Sequence, residues 1–159
     1  TGPWGNRCYE ISNRINGRIR MYVEERDPHL NRFNNLVAIL ERNANRSEEK
    51  GYDVTKLRAD IVTLKEKIQK FKNDYDTFII KLNATAISPC TRAENQYQER
   101  LRDSKLQLRI VRQDAEEIKQ FYLETVKTTV KQLREQKKVT NAQREGNRTA
   151  PAQNRGGNK

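Results

Sequence analysis

The chain has 159 residues, of which 34% are hydrophobic and 33% charged, a balance too polar for a broad globular core. It suits helices that each bury a narrow stripe and leave most of their circumference in water. The 32 Lys and Arg outweigh 21 Asp and Glu to give a net charge of +11, which predicts attraction to polyanions or acidic surfaces.

Residues 1–5, Thr1-Gly2-Pro3-Trp4-Gly5, lack the character of a signal peptide and are expected to be extended. The chain is read as a mature exported product whose leader has been removed, the other reading being a piece cut from a longer protein. No run of about 18 apolar residues occurs that would span a bilayer.

From about Asn6 to Ala44 the apolar residues Ile11, Ile15, Ile19, Tyr22, Leu30, Phe33, Val37, Leu40 and Ala44 recur at helical spacing. Asp27-Pro28 lies inside this stripe, and proline both removes a helix hydrogen bond and crowds the preceding turn, so a kink or short break is expected there. The stripe keeps its phase across the proline, which favours one bent helix over two. The polar run Asn45 to Gly51 then marks a turn.

A second helix is expected from about Val54 to Ile87. Its residues Leu57, Ile61, Leu64, Ile68, Phe71, Tyr75, Phe78 and Leu82 alternate steps of four and three, a heptad seam. Asp53 is its candidate N-cap and Pro89 its expected stop. A third helix is expected from about Thr91 to Lys138, with Thr91 and Glu94 forming a capping-box pattern. It carries one seam through Tyr97, Leu101, Ser104, Leu108, Val111, Ala115, Ile118, Tyr122 and Thr125. A neighbouring stripe comprises Ile110, Phe121, Val126, Val130 and Leu133. Asp114, Glu116 and Glu117 read as its solvated face. The expected fold class is therefore all-α: an elongated up-down-up three-helix bundle or coiled coil over residues 6–138, followed by a basic low-complexity tail over 139–159.

Cys8 and Cys90 are equidistant from residue 49, in the polar turn. A chain that folds back at that point brings both sulfurs to the open end of the hairpin, so a disulfide staple is expected, with two separate buried thiols as the competing reading. Of three Asn-x-Ser/Thr triplets, those at Asn45 and Asn147 fall in segments expected to be exposed and are the glycosylation candidates, while Asn83 adjoins the second seam.

The tail holds few apolar residues and should be disordered alone in water. Between Lys137 and Lys159 it carries six basic residues and one acidic. Val126, Val130 and Leu133 are expected to overhang the hairpin, and with Lys137, Lys138, Arg144, Arg148 and Arg155 they form the expected partner-binding surface.

The segments Cys8-Tyr9-Glu10-Ile11-Ser12-Asn13-Arg14-Ile15, Gly51-Tyr52-Asp53-Val54-Thr55-Lys56-Leu57, Lys70-Phe71-Lys72-Asn73-Asp74-Tyr75 and Val111-Arg112-Gln113-Asp114-Ala115 together resemble a group of uncharacterised predicted exported helical proteins of candidate-phyla bacteria. The resemblance covers residues 8–136. It implies an envelope or extracellular location and a cysteine-stapled bundle, and it transfers no site residues.

No metal, nucleotide or catalytic-triad spacing is present, and the single histidine, His29, is expected to be a seam or surface residue. No cofactor is expected. The expected function is thus a non-enzymatic exported structural or interaction module that self-associates or docks on the cell envelope, its expected partner being a second copy or another envelope protein. The alternatives are binding of an acidic polymer or nucleic acid through the tail and the Arg-rich ridge Arg100, Arg102, Arg109 and Arg112, and a periplasmic holdase with an exposed apolar cradle.

Overall fold

The computed structural model describes residues 3–91 and 93–149, and among these the only regular structure is helix. Helix α1 spans Pro3–Glu49, α2 spans Thr55–Thr91, α3 spans Glu94–Phe121, a five-residue π-helix spans Tyr122–Val126, and α4 spans Lys127–Thr149.

Both ends of α1 and the start of α2 have local causes. Pro3 is the first helical residue of α1, a position where the missing N–H costs nothing, so the segment expected to be extended is already helical there. The helix also passes through Pro28 without a break. Pro28 and Glu24, whose carbonyl loses its partner, are both exposed, so water can take the place of the lost bond. The α1–α2 turn closes on Gly51 at φ 82°, where the Gly51 N–H donates to the Glu48 carbonyl and the Tyr52 N–H donates to that of Ser47. This Schellman pair needs a left-handed residue, and glycine supplies it without a Cβ clash. Asp53 then accepts the Thr55 N–H at 3.0 Å, which starts α2 where the sequence placed it and holds the Asp53 carboxyl below its ordinary range.

Pro89 does not stop α2, which continues to Thr91. A proline so near a helix end frees a single carbonyl, that of Thr85, and the Cys8–Cys90 disulfide ties this last turn to α1 across a Cα–Cα distance of 5.2 Å. The expected capping box at Thr91 also fails to form, because the Thr91 hydroxyl donates back to the Ile87 carbonyl at 2.9 Å. Helix α3 therefore begins at Glu94 behind an extended Ala93 with no side-chain cap.

Cross-helix pairs fix the topology. From the disulfide, the α1–α2 interface continues through Ser12 donating to the Ala86 carbonyl, the forked Arg26–Asp76 pair and the Lys65–Glu41 pair, so these helices are antiparallel. Between α2 and the third segment, Thr85 meets the Arg100 carbonyl, Gln107 the Asp74 carbonyl and Asp60 Thr129, again antiparallel. Helices α1 and α3 both pack along α2, and every residue of the expected α2 seam is buried. Mid-seam, Phe71 is 3% exposed, with the Phe33 ring 5.2 Å away in an edge contact and Tyr75 5.7 Å away on the next turn.

Of the second stripe expected on the third helix, Ile110 is 43% exposed and Phe121 half-buried, while Val126 and Leu133 continue the first seam after an interruption. Tyr97, Ser104, Val111 and Ile118 are buried at steps of seven, and so are Val126 and Leu133, but the step from Ile118 to Val126 is eight. One extra residue would turn the later stripe away from α2 by about 100°. The π-helix Tyr122–Val126 lies at this step and absorbs that residue by widening one turn. Val126 at 0% and Leu133 at 8% exposure are consequently core residues, and Val130 packs beside them. The expected apolar overhang does not exist, because α1 runs on to Glu49 while Tyr52 and Val54 of the turn are buried in the same core. The segment that leaves the bundle is 141–148, polar, basic and exposed, and it continues α4 instead of forming an irregular tail. Residues 150–159, including Arg155, lie outside the described residues.

Two outcomes test this packing. Phe71→Ala should cost about 3–5 kcal/mol and Lys72→Ala under about 0.5 kcal/mol in thermal or urea unfolding; equal shifts would place the seam on another face. Deleting exposed Glu124 should restore an unbroken seven-residue step and leave a cooperative fold, whereas deleting exposed Asp103 from regular α3 should throw Ser104 and Val111 out of register. A larger loss of melting temperature for the Glu124 deletion would refute the one-residue slip.

Candidate functional site

Because α1 and α3 are both held by α2, the face opposite α2 is a groove with α1 as one wall and α3–α4 as the other. At the disulfide end Ile11, Ile15 and Leu101 line it together with Arg14, Arg18 and Lys105. In the middle it passes Tyr22, His29, Leu108, Glu25 and Arg112. At the turn end it opens to about 690 Å³, floored by Leu36, Leu40, Tyr122 and Val130 and bordered by Ile39, itself 47% exposed. Four cations from α4, Lys127, Lys131, Arg134 and Lys138, stand along this end with one carboxylate, Glu135.

The π-helix determines which side of α4 meets the groove. With the slip at Tyr122–Val126, Leu133 turns into the core, and the row at 127, 131, 134 and 138 comes to the groove rim. Lys127 also stands over the Tyr122 ring at 5.7 Å, which steadies the first member of the row.

The residues expected to bind a partner are divided by this geometry. Lys138 lies on the groove, while Lys137 packs over the Tyr52 ring at 5.6 Å and helps close the turn. Arg144 and Arg148 are exposed on the projecting end of α4. Arg100, Arg102, Arg109 and Arg112 do not make one ridge: Arg100 is half-buried, Arg102 and Arg109 border a shallow depression with Lys105, and Arg112 enters the groove. Asn45 sits in the last turns of α1, where its side-chain carbonyl accepts from Arg58 at 3.0 Å and the hydroxyl-bearing Ser47 of its triplet is fully buried. Asn147 is exposed. His29 is half-buried with its ring 6.4 Å from Phe71. Among the described residues no group of three or more His, Cys, Asp or Glu side chains comes together to hold a metal ion.

Sequence reasoning missed the buried polar layer between α2 and the third segment. Asp114, expected in solvent, is 3% exposed; its Oδ1 accepts from Lys70 at 2.7 Å, and the same ammonium reaches Asp74 at 2.7 Å. Burial, followed by the hydrogen bond with Asp74, pushes the Asp114 carboxyl up to about 6. The hydrogen bond with Asp114 and then Lys70 hold Asp74 below its ordinary range, while both carboxylates raise Lys70. The one Lys70 ammonium thus bridges two aspartates, and Asp114 Oδ2 is buried without a hydrogen-bond partner. A second layer joins Asp60, also 3% exposed, to Lys56 at 2.6 Å and to the Thr129 hydroxyl at 2.5 Å. The only sequence signal for either layer was a polar residue at core spacing: Asp114 lies three residues after Val111 and four before Ile118.

Compared with known proteins, the chain matches no protein-family model, no curated protein and no solved structure.

The raised Asp114 gives a signed pH dependence. A carboxyl held above its unfolded value adds stability that is complete below the ordinary aspartate range and is lost as pH rises through about 6. The melting temperature of the wild type relative to Asp114→Asn should therefore fall across that interval. A difference that stays flat from acid pH to above 6 would show that Asp114 is not protonated in the fold.

Proposed function

We propose that the chain is a non-enzymatic exported interaction module, a helical rod that docks on an acidic partner at the cell envelope. The observation that carries this reading is the groove opposite α2, apolar at its floor and bordered by Arg14, Arg18, Lys127, Lys131, Arg134 and Lys138. A floor of that kind gains from cover by another surface, and the surrounding charge selects an acidic one. Export is supported by the Cys8–Cys90 bond, which fits an oxidising compartment, and by the resemblance over residues 8–136. No helix among the described residues is long and apolar enough to cross a membrane. Self-association is the weaker reading, because a second copy brings the same net charge of +11 against the first. Arg102, Lys105 and Arg109 favour a polyanion as the second reading, though none of the aromatic rings that stack on bases borders their depression.

Mass photometry of the chain purified from its own source under gentle, low-salt conditions tests the reading. The expected outcome is a complex heavier than the 18.7 kDa monomer that contains a different, acidic chain and dissociates as salt is raised. Peptide mapping of the same material should recover Cys8 linked to Cys90. Monomer alone, or both thiols free, would overturn the module or its export respectively.

A further inference from the structure

We propose that the groove between α1 and α3–α4 receives one acidic amphipathic helix, which lies opposite α2 and completes a four-helix bundle. The inference rests on the interaction-module reading and specifies the partner's chemistry.

Three features point to a helix. The first is topology: α1 and α3 each pack along the same α2, which leaves open the place that a fourth helix occupies in an up-down bundle. The second is shape. Three open cavities follow one another along the α1 and α3–α4 face, with Ile15, Tyr22 and then Leu40 and Val130 at successive levels, a row suited to an apolar helix face and unlike the closed cavity of a small ligand. The third is spacing. Lys127, Lys131, Arg134 and Lys138 follow one another at steps of four, three and four, so they project as one row and match carboxylates placed at the same steps beside an apolar seam.

Charge decides the sign of the partner. The groove-lining cations comprise Arg14, Arg18 and Lys105 at one end, Arg112 in the middle and the α4 row at the other, whereas the lining carboxylates are Glu25 and Glu135. A basic or neutral amphipathic helix would leave these cations unpaired around a newly dried floor, which costs binding energy. A second copy of this chain, with its net charge of +11, is disfavoured on the same ground, and the segment 150–159 carries Arg155 and Lys159 with no apolar stripe. A nucleic-acid strand would pair the cations but would set sugar and phosphate on the apolar floor.

The test uses the full, disulfide-linked chain and a fluorescent synthetic peptide of about four heptads with Leu at the core positions and Glu beside them. Its comparators are the same peptide with Lys for Glu, a scrambled acidic peptide and a duplex DNA oligomer. At ~0.01 M salt the acidic amphipathic peptide should bind and become helical, and its affinity should fall at least about tenfold at ~1 M, where screening shortens from ~30 Å to ~3 Å. The Lys peptide, the scramble and the DNA should each bind at least about tenfold more weakly. The double variant Lys131→Glu/Arg134→Glu alters two exposed side chains, should melt like the wild type, and should lose at least about tenfold in peptide affinity. Arg102→Glu/Arg109→Glu, whose depression shares only Leu101 and Lys105 with the groove's disulfide end, should lose less peptide affinity than Lys131→Glu/Arg134→Glu at the same salt, and the gap between the two variants should widen as long-range attraction is screened. DNA or scrambled peptide binding as tightly as the amphipathic one, an unaffected Lys131→Glu/Arg134→Glu variant, or no binding at all would overturn the proposal. So would self-association that this variant abolishes. If the peptide fails while a salt-sensitive complex with an acidic chain is still recovered from the source, the groove assignment falls and the module reading stands.

Discussion

Everything in this molecule hangs on α2, the one helix whose apolar seam is buried along its whole length. Burial of a side chain such as Phe71 or Leu64 is worth about 1.5–3 kcal/mol each relative to exposure, before the entropy of ordering the chain is subtracted. An isolated amphipathic helix could not keep that gain, so α2 needs cover on two sides, and α1 and α3 provide it. Neither covering helix has as complete a seam: Ile11, Ile19, Tyr22 and Phe33 of α1, and Leu101, Leu108 and Ala115 of α3, remain half-buried. The groove is what is left when two incomplete stripes serve one complete one.

Polar pairs are spread along the apolar seam and act on register. Arg26–Asp76 aligns α1 with α2, while Lys70–Asp74–Asp114 and Asp60–Thr129 align α2 with the third segment. Buried Asp60 and Asp114 add little net stability, since desolvation offsets much of their attraction, but a slide of one residue would leave each unpaired at a cost of several kcal/mol, whereas the partly exposed Arg26–Asp76 pair is worth about 1 kcal/mol or less. Heptad packing alone tolerates a slide by whole heptads; these pairs do not. The disulfide sets the same alignment covalently at one end, and the Schellman turn at Gly51 sets it at the other.

The π-helix joins architecture to surface chemistry. One residue more than a whole heptad count separates Ile118 from Val126, and the widened turn at Tyr122–Val126 keeps both in the core. The same slip carries the row Lys127, Lys131, Arg134 and Lys138 to the groove. An ordinary α-helical turn there would have rotated the row by about 100° and left Leu133 in water. The local irregularity is thus the device that gives the groove its basic rim, and the proposed choice of an acidic helical partner follows from it.

Much of this was legible in the residues. The α2 seam from Leu57 to Leu82, the turn at Gly51 and the pairing of Cys8 with Cys90 follow from short-range rules: heptad spacing, the left-handed freedom of glycine and the equal distance of two cysteines from a turn. Composition likewise required thin helices that each bury a narrow stripe. Three features depended on tertiary structure. Pro89 ends a helix by local rules, yet α2 continues past it because the disulfide holds the final turn. Val126 and Leu133 look like an overhang when helix lengths are laid side by side, but the length of α1 and the burial of Tyr52 and Val54 put them inside. Asp114 has the composition of a solvated face and is buried because Lys70 and Asp74 on another helix meet it. A helix's own sequence determines its period and its ends; which residues of its circumference are covered depends on the neighbours that the fold brings from far along the chain, and here that decided both the core and the groove.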